Sequence, residues 1–319
     1  LVRQARVNEL RDVGRIVIVR DLMGRLRLAV ENRPTTSLAD LESRLRNATG
    51  PYHAPGILVG SEMLAPGALF DSFDGNEVDG IVVLERMVTG AEWTRPPLPN
   101  ADPRPPRATV YGIKGGVGRS TAVCAWARHL ARRGERVLVV DLDLESPGIS
   151  STLLPVDATP DFGIVDWLVE DGVDNADEDV VNQMVGRSPL STGGPGEIFV
   201  APCGGTVGDG YLAKLARAYV DVPKQTGGIR PFAERLAMLI DSLELTLMPS
   251  IVLLDSRAGL HDLAGIATTR LGAMTFLFAV ASRQTWAGYR TLLRSWKQRP
   301  AVGREIRERL RIVAAQIPE

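Results

Sequence analysis

The sequence predicts an α/β protein: a doubly wound, mostly parallel sheet preceded by a smaller α+β domain. Two patterns carry that expectation. Continuous apolar, β-rich runs alternate with helix-patterned segments through the larger, later part of the chain, and a proline-rich stretch separates them from a shorter first region. A third observation, a glycine-rich loop between a predicted strand and a predicted helix, marks where the chemistry is expected.

The chain has 319 residues, which suits two domains of ~100 to 200 residues better than one. Apolar residues make up 45% and charged residues 24%, enough to build a buried core and too apolar for wholesale disorder. A net charge of −1 excludes a polycation that meets nucleic acid through bulk electrostatics. Cys124 and Cys203 lie far apart among small and apolar residues, so they form neither a disulfide framework nor a CxxC metal spacing and are expected to be buried thiols. His53, His129 and His261 are too scattered for a metal cluster and read as structural or exposed. No GxSxG elbow supports nucleophilic hydrolase chemistry.

No charged-then-apolar leader follows Leu1, and the longest apolar run, Gly272 to Ala281, falls well short of the ~18 residues that span a bilayer. A cytoplasmic protein with no membrane segment is expected. The Leu start and strand-like end read as a piece of a longer chain.

In chain order, Arg15 to Val19 and Leu26 to Val30 form a predicted hairpin around Gly24. Ser37 offers an N-cap to a helix with Leu38, Leu41 and Leu45 on one face and Gly50 as its stop. Ile81 to Leu84 supplies a further strand. Residues 1–94 are therefore expected to form a small α+β domain without a catalytic constellation, open to a protein partner. Its acidic stretches around Asp71 and Asp79 read as solvated loops. From Arg95 to Arg107, six prolines in thirteen residues exclude helix and ladder pairing and predict a semi-rigid linker, 95–107. Residues 108–319 then supply strands at Thr109 to Tyr111, Arg136 to Val140, Ile198 to Val200, Ile251 to Leu254 and Thr275 to Val280. Helices are expected at Ser120 to Arg133, Phe232 to Leu245 and Thr285 to Trp296.

The loop runs from Val110 to Thr121. Gly115, Gly116 and Gly118 allow backbone conformations closed to other residues, so successive amides, that of Val117 included, can ring an anion. The helix behind them adds unsatisfied N-terminal N–H groups and the positive end of its dipole. Ser120 stands where such a loop's hydroxyl coordinates Mg²⁺, and Thr121 follows within reach of a phosphate. Further on, alternation in Val139-Val-Asp-Leu-Asp143 puts Asp141 and Asp143 on one side at the carboxyl end of a parallel strand, where ligands of open α/β sheets bind. A second apolar strand ends in Asp255, with Gly259 four residues later.

Lys114-Gly-Gly-Val-Gly-Arg-Ser-Thr121 resembles the deviant Walker A loop of the ParA/MinD family of dimerising ATPases, KGGxGK followed by Ser or Thr. Leu253-Leu-Asp-Ser-Arg-Ala-Gly259 is similar to the family's Asp-Ser-Pro-Ala-Gly, Phe162 to Leu168 to its helix after switch I, and Ile198 to Pro202 to its proline-ended strand. Together these cover most of residues 108–319.

The resemblance implies ATP and Mg²⁺ as cofactors, with residues 115–121 around the phosphates and Gly259 presenting its amide near the γ-phosphate. It implies that Ser120 and Asp255 hold Mg²⁺, that Asp141 supports the metal's shell and that Asp143 orients the attacking water, with Glu145 a second candidate for that water and more simply a bystander. Lys114 would reach across a nucleotide-dependent homodimer to the partner's nucleotide. Arg119 replaces the loop's own lysine, an exchange that is not neutral at a tight phosphate site and implies slower turnover. Arg257 stands where the family has proline and reads as solvated before it reads as a catalytic finger.

The implied function is a slowly hydrolysing Mg-ATP switch that partitions or positions a cargo; the alternative is a nucleotide-sensing interaction module with little hydrolysis. The basic run from Arg290 to Arg311 is broken by Glu305 and Glu308, so it reads as a solvated helix face before it reads as a surface for non-specific DNA.

Overall fold

The computed structural model describes residues 13–64, 66–70, 75–78, 81–98, 105–207, 210–224 and 228–316. The chain divides into two compact units, Leu1–Arg95 and Pro96–Glu319.

In the first unit, β1 (Ile16–Arg20) and β2 (Leu26–Val30) pair antiparallel with Ile18 opposite Leu28, giving the hairpin expected from the sequence. Its turn is closed by Gly24 at φ 79° and by the Asp21 carboxylate, which accepts from the amides of Met23 and Arg25 at 2.9 Å each. Helix α1 (Leu38–Thr49) buries Leu41 and Leu45 against Ile18, Leu28 and Val30. Ser37 occupies its N-cap position, but the side chain makes no capping hydrogen bond, so packing and not capping fixes this helix start. Next come β3 (Leu58–Val59), the short α2 (Gly67–Phe70), β4 (Gly75–Val78) and β5 (Ile81–Glu85). The sheet order is β3-β2-β1-β5-β4, with β5 parallel to β1. Asp71 and Asp79 lie outside the described residues.

The second unit opens with β6 (Arg107–Tyr111), α3 (Arg119–Arg132) and β7 (Arg136–Leu142). It continues through α4 (Ile149–Leu153), α5 (Ile164–Asp171), α6 (Glu178–Gln183), β8 (Gly186–Arg187) and β9 (Glu197–Ala201). Helix α7 (Tyr211–Ala218), a small ribbon of β10 (Val222–Pro223) and β11 (Ile229–Arg230), and α8 (Phe232–Leu247) lead into β12 (Ile251–Ser256). After α9 (Asp262–Gly265), which runs on as a π-helical turn, come β13 (Met274–Ala279), α10 (Arg283–Lys297), α11 (Pro300–Arg309) and β14 (Leu310–Ala314).

The seven-stranded order is β14-β13-β6-β12-β7-β9-β8, all parallel except β8. Strand β7 explains why these runs are apolar throughout. Val137 and Val139 pack into one core with Val123, Ala127 and Ala131 of α3, while Leu138 and Val140 pack into the other with Leu236, Ile240 and Leu243 of α8. A strand covered on both faces has no side left for polar residues. All five strands and three helices expected after the proline-rich stretch are present.

That stretch ends differently from the expectation. Residues 99–104 lie outside the described residues, but Arg107 is the first residue of β6 and its side chain is 2% exposed. It donates to Glu244 through Nε and Nη2 at 2.5 and 2.7 Å, and to Asp241 at 2.6 Å. Leu98 donates its amide to the Arg270 carbonyl at 2.9 Å.

The basic run also divides, into α10, α11 and the edge strand β14. Pro300 sits in the first turn of α11, where its missing N–H costs nothing. Arg309 donates to the Ala273 carbonyl at 3.3 Å, so it is not part of a solvated stripe. Of the two free thiols, Cys203 is buried as expected, whereas Cys124 is half-buried. Among the described residues no helix is long and apolar enough to cross a membrane.

Candidate functional site

The loop 112–118 crosses the carboxyl end of the sheet between β6 and α3. Val117, 5% exposed, anchors it in the core beneath α3. Gly116 and Gly118 take φ values of 72° and 88°, left-handed backbone that side chains disfavour. An added Cβ at Gly115, Gly116 or Gly118 would meet nothing within 4 Å, so these glycines are needed for backbone conformation and for the open rim that it creates. Gly118 is the N-cap of α3 and provides no side-chain acceptor, which leaves the first amides of a 14-residue helix directed at the rim. Backbone and dipole together suit an anion there.

The carboxylates come next. Asp255 on β12 is in register with Val110 of β6 on one side and Asp141 of β7 on the other, so all three strand ends are level. Asp141 is 0% and Asp255 3% exposed. Burial pushes the Asp255 carboxyl up to about 7, and Asp141 and Asp143 push the same way, against a hydrogen bond from Ser120 and the charge of Arg119. Its Oδ1 is buried without a hydrogen-bond partner among the described residues. A buried hard oxygen lacking a partner, beside a serine hydroxyl at the foot of a loop suited to an anion, is the donor chemistry that a divalent cation favours. No group of three His, Cys, Asp or Glu that could hold a metal occurs among the described residues.

Asp141 is differently engaged. Its Oδ1 accepts the Asp143 amide at 3.2 Å, and its Oδ2 accepts the Ser150 hydroxyl at 2.6 Å and amide at 3.4 Å. It braces the loop that follows β7. Asp143 is half-buried, and its carboxyl is raised by that burial, with Asp141 and Glu145 adding to the shift and Arg119 and Arg257 opposing it.

The cations face inward more than the motif suggests. Arg119 is 8% exposed and donates to the Ser256 carbonyl at 2.8 Å, tying the start of α3 to the end of β12. Lys114 donates to the side-chain oxygen of Gln284 on α10. The Gly259 amide, expected near a γ-phosphate, donates to the Gly112 carbonyl at 3.2 Å, while the Tyr111 hydroxyl holds the Gly259 carbonyl at 3.0 Å. Thr121 is exposed on the first turn of α3.

The structure thus brings Arg119, Ser120, Asp141, Asp143 and Asp255 together, and it adds residues that the motifs did not single out. Glu145 is no bystander: its Oε1 accepts from the Tyr219 hydroxyl at 2.6 Å and pairs with Arg257 at 2.5 Å, and His261 Nε2 lies 3.5 Å away. Arg257 is consequently ion-paired and not simply solvated, and His261 borders the site. Tyr211 donates to the Leu144 carbonyl at 2.7 Å. Gln316 donates to the Gly116 carbonyl at 2.8 Å. These partners come from elements remote in sequence, and no local spacing announces them.

Among solved structures, a plasmid partition protein from Borrelia burgdorferi is 16% identical, with 66% of this chain and 78% of that one covered at a TM-score of 0.41. A ParA family ATPase from Chlorobium tepidum is 16% identical, with coverage of 66% and 73% and a TM-score of 0.41. Cobyrinic acid a,c-diamide synthase from Mycobacterium smegmatis, solved with a bound ATP analog and magnesium, is 17% identical, with coverage of 65% and 72% and a TM-score of 0.43. The family profile of the CobQ/CobB/MinD/ParA nucleotide binding domain matches residues 108–282, more than half of the chain. With a glycine loop, a helix N-terminus and an orphaned carboxylate at the level strand ends, the chain belongs to the CobQ/CobB/MinD/ParA nucleotide-binding family.

Proposed function

We propose that this chain is a Mg-ATP-binding switch of the ParA/MinD kind, which hydrolyses ATP slowly and closes into a homodimer around the nucleotide. One observation carries the reading: the buried, unpartnered Oδ1 of Asp255 stands beside Ser120 at the foot of the glycine loop. The amides of 115–121 hold the phosphates, Ser120 and Asp255 hold the metal, and Asp141 fixes the loop that presents Asp143 to the attacking water. Magnesium, when bound, neutralises charge on the terminal phosphates. Lys114 leaves Gln284 to reach the partner's nucleotide, and Gly259 exchanges the Gly112 carbonyl for the terminal phosphate. The first unit is a candidate surface for a protein partner.

The test is calorimetric titration of ATP with and without Mg²⁺. Binding that needs the metal and is lost in Asp255→Ala supports the reading; no binding by well-folded protein overturns it. A second reading, a nucleotide-sensing module with little hydrolysis, is favoured by the bond from Arg119 to Ser256, which commits the buried guanidinium to a backbone carbonyl. Phosphate release separates the two: equal rates for wild type and Asp143→Ala favour the module.

A further inference from the structure

The loop after β7 and the loop after β12 both border the carboxylate end of the site, and a single oxygen joins them. Glu145 lies two residues beyond Asp143, and Arg257 lies between Asp255 and Gly259. Arg257 Nη1 is 2.5 Å from Glu145 Oε1, and the two side chains are 31% and 24% exposed. Partial burial removes much of the solvent screening that makes exposed ion pairs worth little.

The pair is held from behind. Tyr219, at the end of α7, donates to the same oxygen at 2.6 Å, and its ring packs against Phe232 at 4.9 Å and His261 at 5.7 Å between centroids. Tyr211, at the start of α7, holds the neighbouring Leu144 carbonyl. The remaining Glu145 oxygen, Oε2, is buried and has no partner among the described residues. Such a carboxylate is costly to leave without its cation, so the pair ties the two loops together.

We propose that Glu145 and Arg257 are a positioning pair, tying the loop that bears Asp143 to the loop that bears Gly259, and that hydrolysis requires the tie. The proposal rests on the Mg-ATP reading above. Neither side chain touches the nucleotide; the pair acts by holding Asp143 in place when the second loop has closed on the terminal phosphate.

The experiment measures Mg-ATP affinity by calorimetry and phosphate release under saturating ATP for wild type, Glu145→Gln, Arg257→Ala, Arg257→Lys and the double variant Glu145→Gln/Arg257→Ala. Each of Glu145→Gln and Arg257→Ala should lower kcat about tenfold to a hundredfold and leave affinity within about threefold, because the phosphate loop is untouched. The double variant should be no slower than the slower single one, since each cuts the same tie. Arg257→Lys should recover part of the rate. Hydrogen exchange without nucleotide should show 143–150 and 256–261 losing protection together in either single variant, a readout that also serves if Arg257→Ala folds poorly and only Glu145→Gln and Arg257→Lys can be assayed.

Additive losses, an unchanged kcat, or a loss confined to affinity would overturn the proposal, the last by making Arg257 a phosphate ligand. A wild type that binds Mg-ATP and releases no phosphate overturns the positioning role alone. A wild type that binds no Mg-ATP removes this inference and the switch reading together.

Discussion

Asp255 and Asp141 are register partners on adjacent parallel strands, and both are buried. They solve the shared problem of charge differently. Asp141 is satisfied by the amide of Asp143 and by the amide and hydroxyl of Ser150, whereas Asp255 keeps an oxygen without a partner and titrates near neutrality. The satisfied carboxylate builds the loop; the unsatisfied one is the one suited to a metal.

Asp255→Asn should stabilise the nucleotide-free protein. The folded carboxyl titrates at about 7, above the 3.8 of a free aspartate, so the folded state keeps a proton that the unfolded chain has released. The stability from that proton is complete below 3.8 and is lost as pH rises through about 7. Urea unfolding should therefore show the variant gaining on wild type as pH rises from about 5 to 8, by about 1 to 3 kcal/mol at the upper end. Metal-dependent ATP binding should be abolished in the variant. In wild type it should strengthen with pH up to about 7 and then level off, because metal and proton compete for one oxygen.

Arg119→Ala should destabilise the fold by about 1.5 to 3 kcal/mol, since the buried Ser256 carbonyl loses a charged donor and Asp143 and Asp255 lose a nearby cation. Arg119→Lys should fold and release phosphate about tenfold faster, because a flexible ammonium reaches phosphate more freely than a planar fork tied to a carbonyl. Denaturation midpoints and phosphate-release rates give the two outcomes separately.

Lys114→Ala should abolish ATP-dependent dimerisation by light scattering and change the affinity of the single subunit by less than about fivefold, the usual limit for a partly exposed charge. Gln284→Ala, which removes only the side chain that Lys114 now contacts, should leave the dimer intact. Retained dimerisation in Lys114→Ala would remove the cross-subunit role.

Arg107→Ala should cost about 3 to 5 kcal/mol in chemical denaturation, because it leaves the Glu244 carboxylate, whose side chain is 6% exposed, without its cation. Pairing Arg107→Met with Glu244→Leu should recover most of that loss, since an apolar pair of similar volume replaces two buried charges.

The sequence by itself determined the parallel sheet, the glycine-rich loop and the identity of Asp141, Asp143 and Asp255 as the strand-end acids. Each is a local signal: strands buried on both faces must be apolar throughout, a loop that wraps an anion must be glycine-rich, and a strand's last residues are adjacent in the chain. The tertiary structure decided what each polar group does. Asp141 became a brace and Asp255 the orphan because different loops arrive above them, and Arg119 turned to the Ser256 carbonyl because β12 lies beside β6. Glu145, Arg257, Tyr219 and His261 met only because the sheet order brings β12 against β7 and the chain folds α7 behind the loop. Burial and hydrogen-bond partners across such distances depend on which strands become neighbours, and no spacing along the chain encodes that.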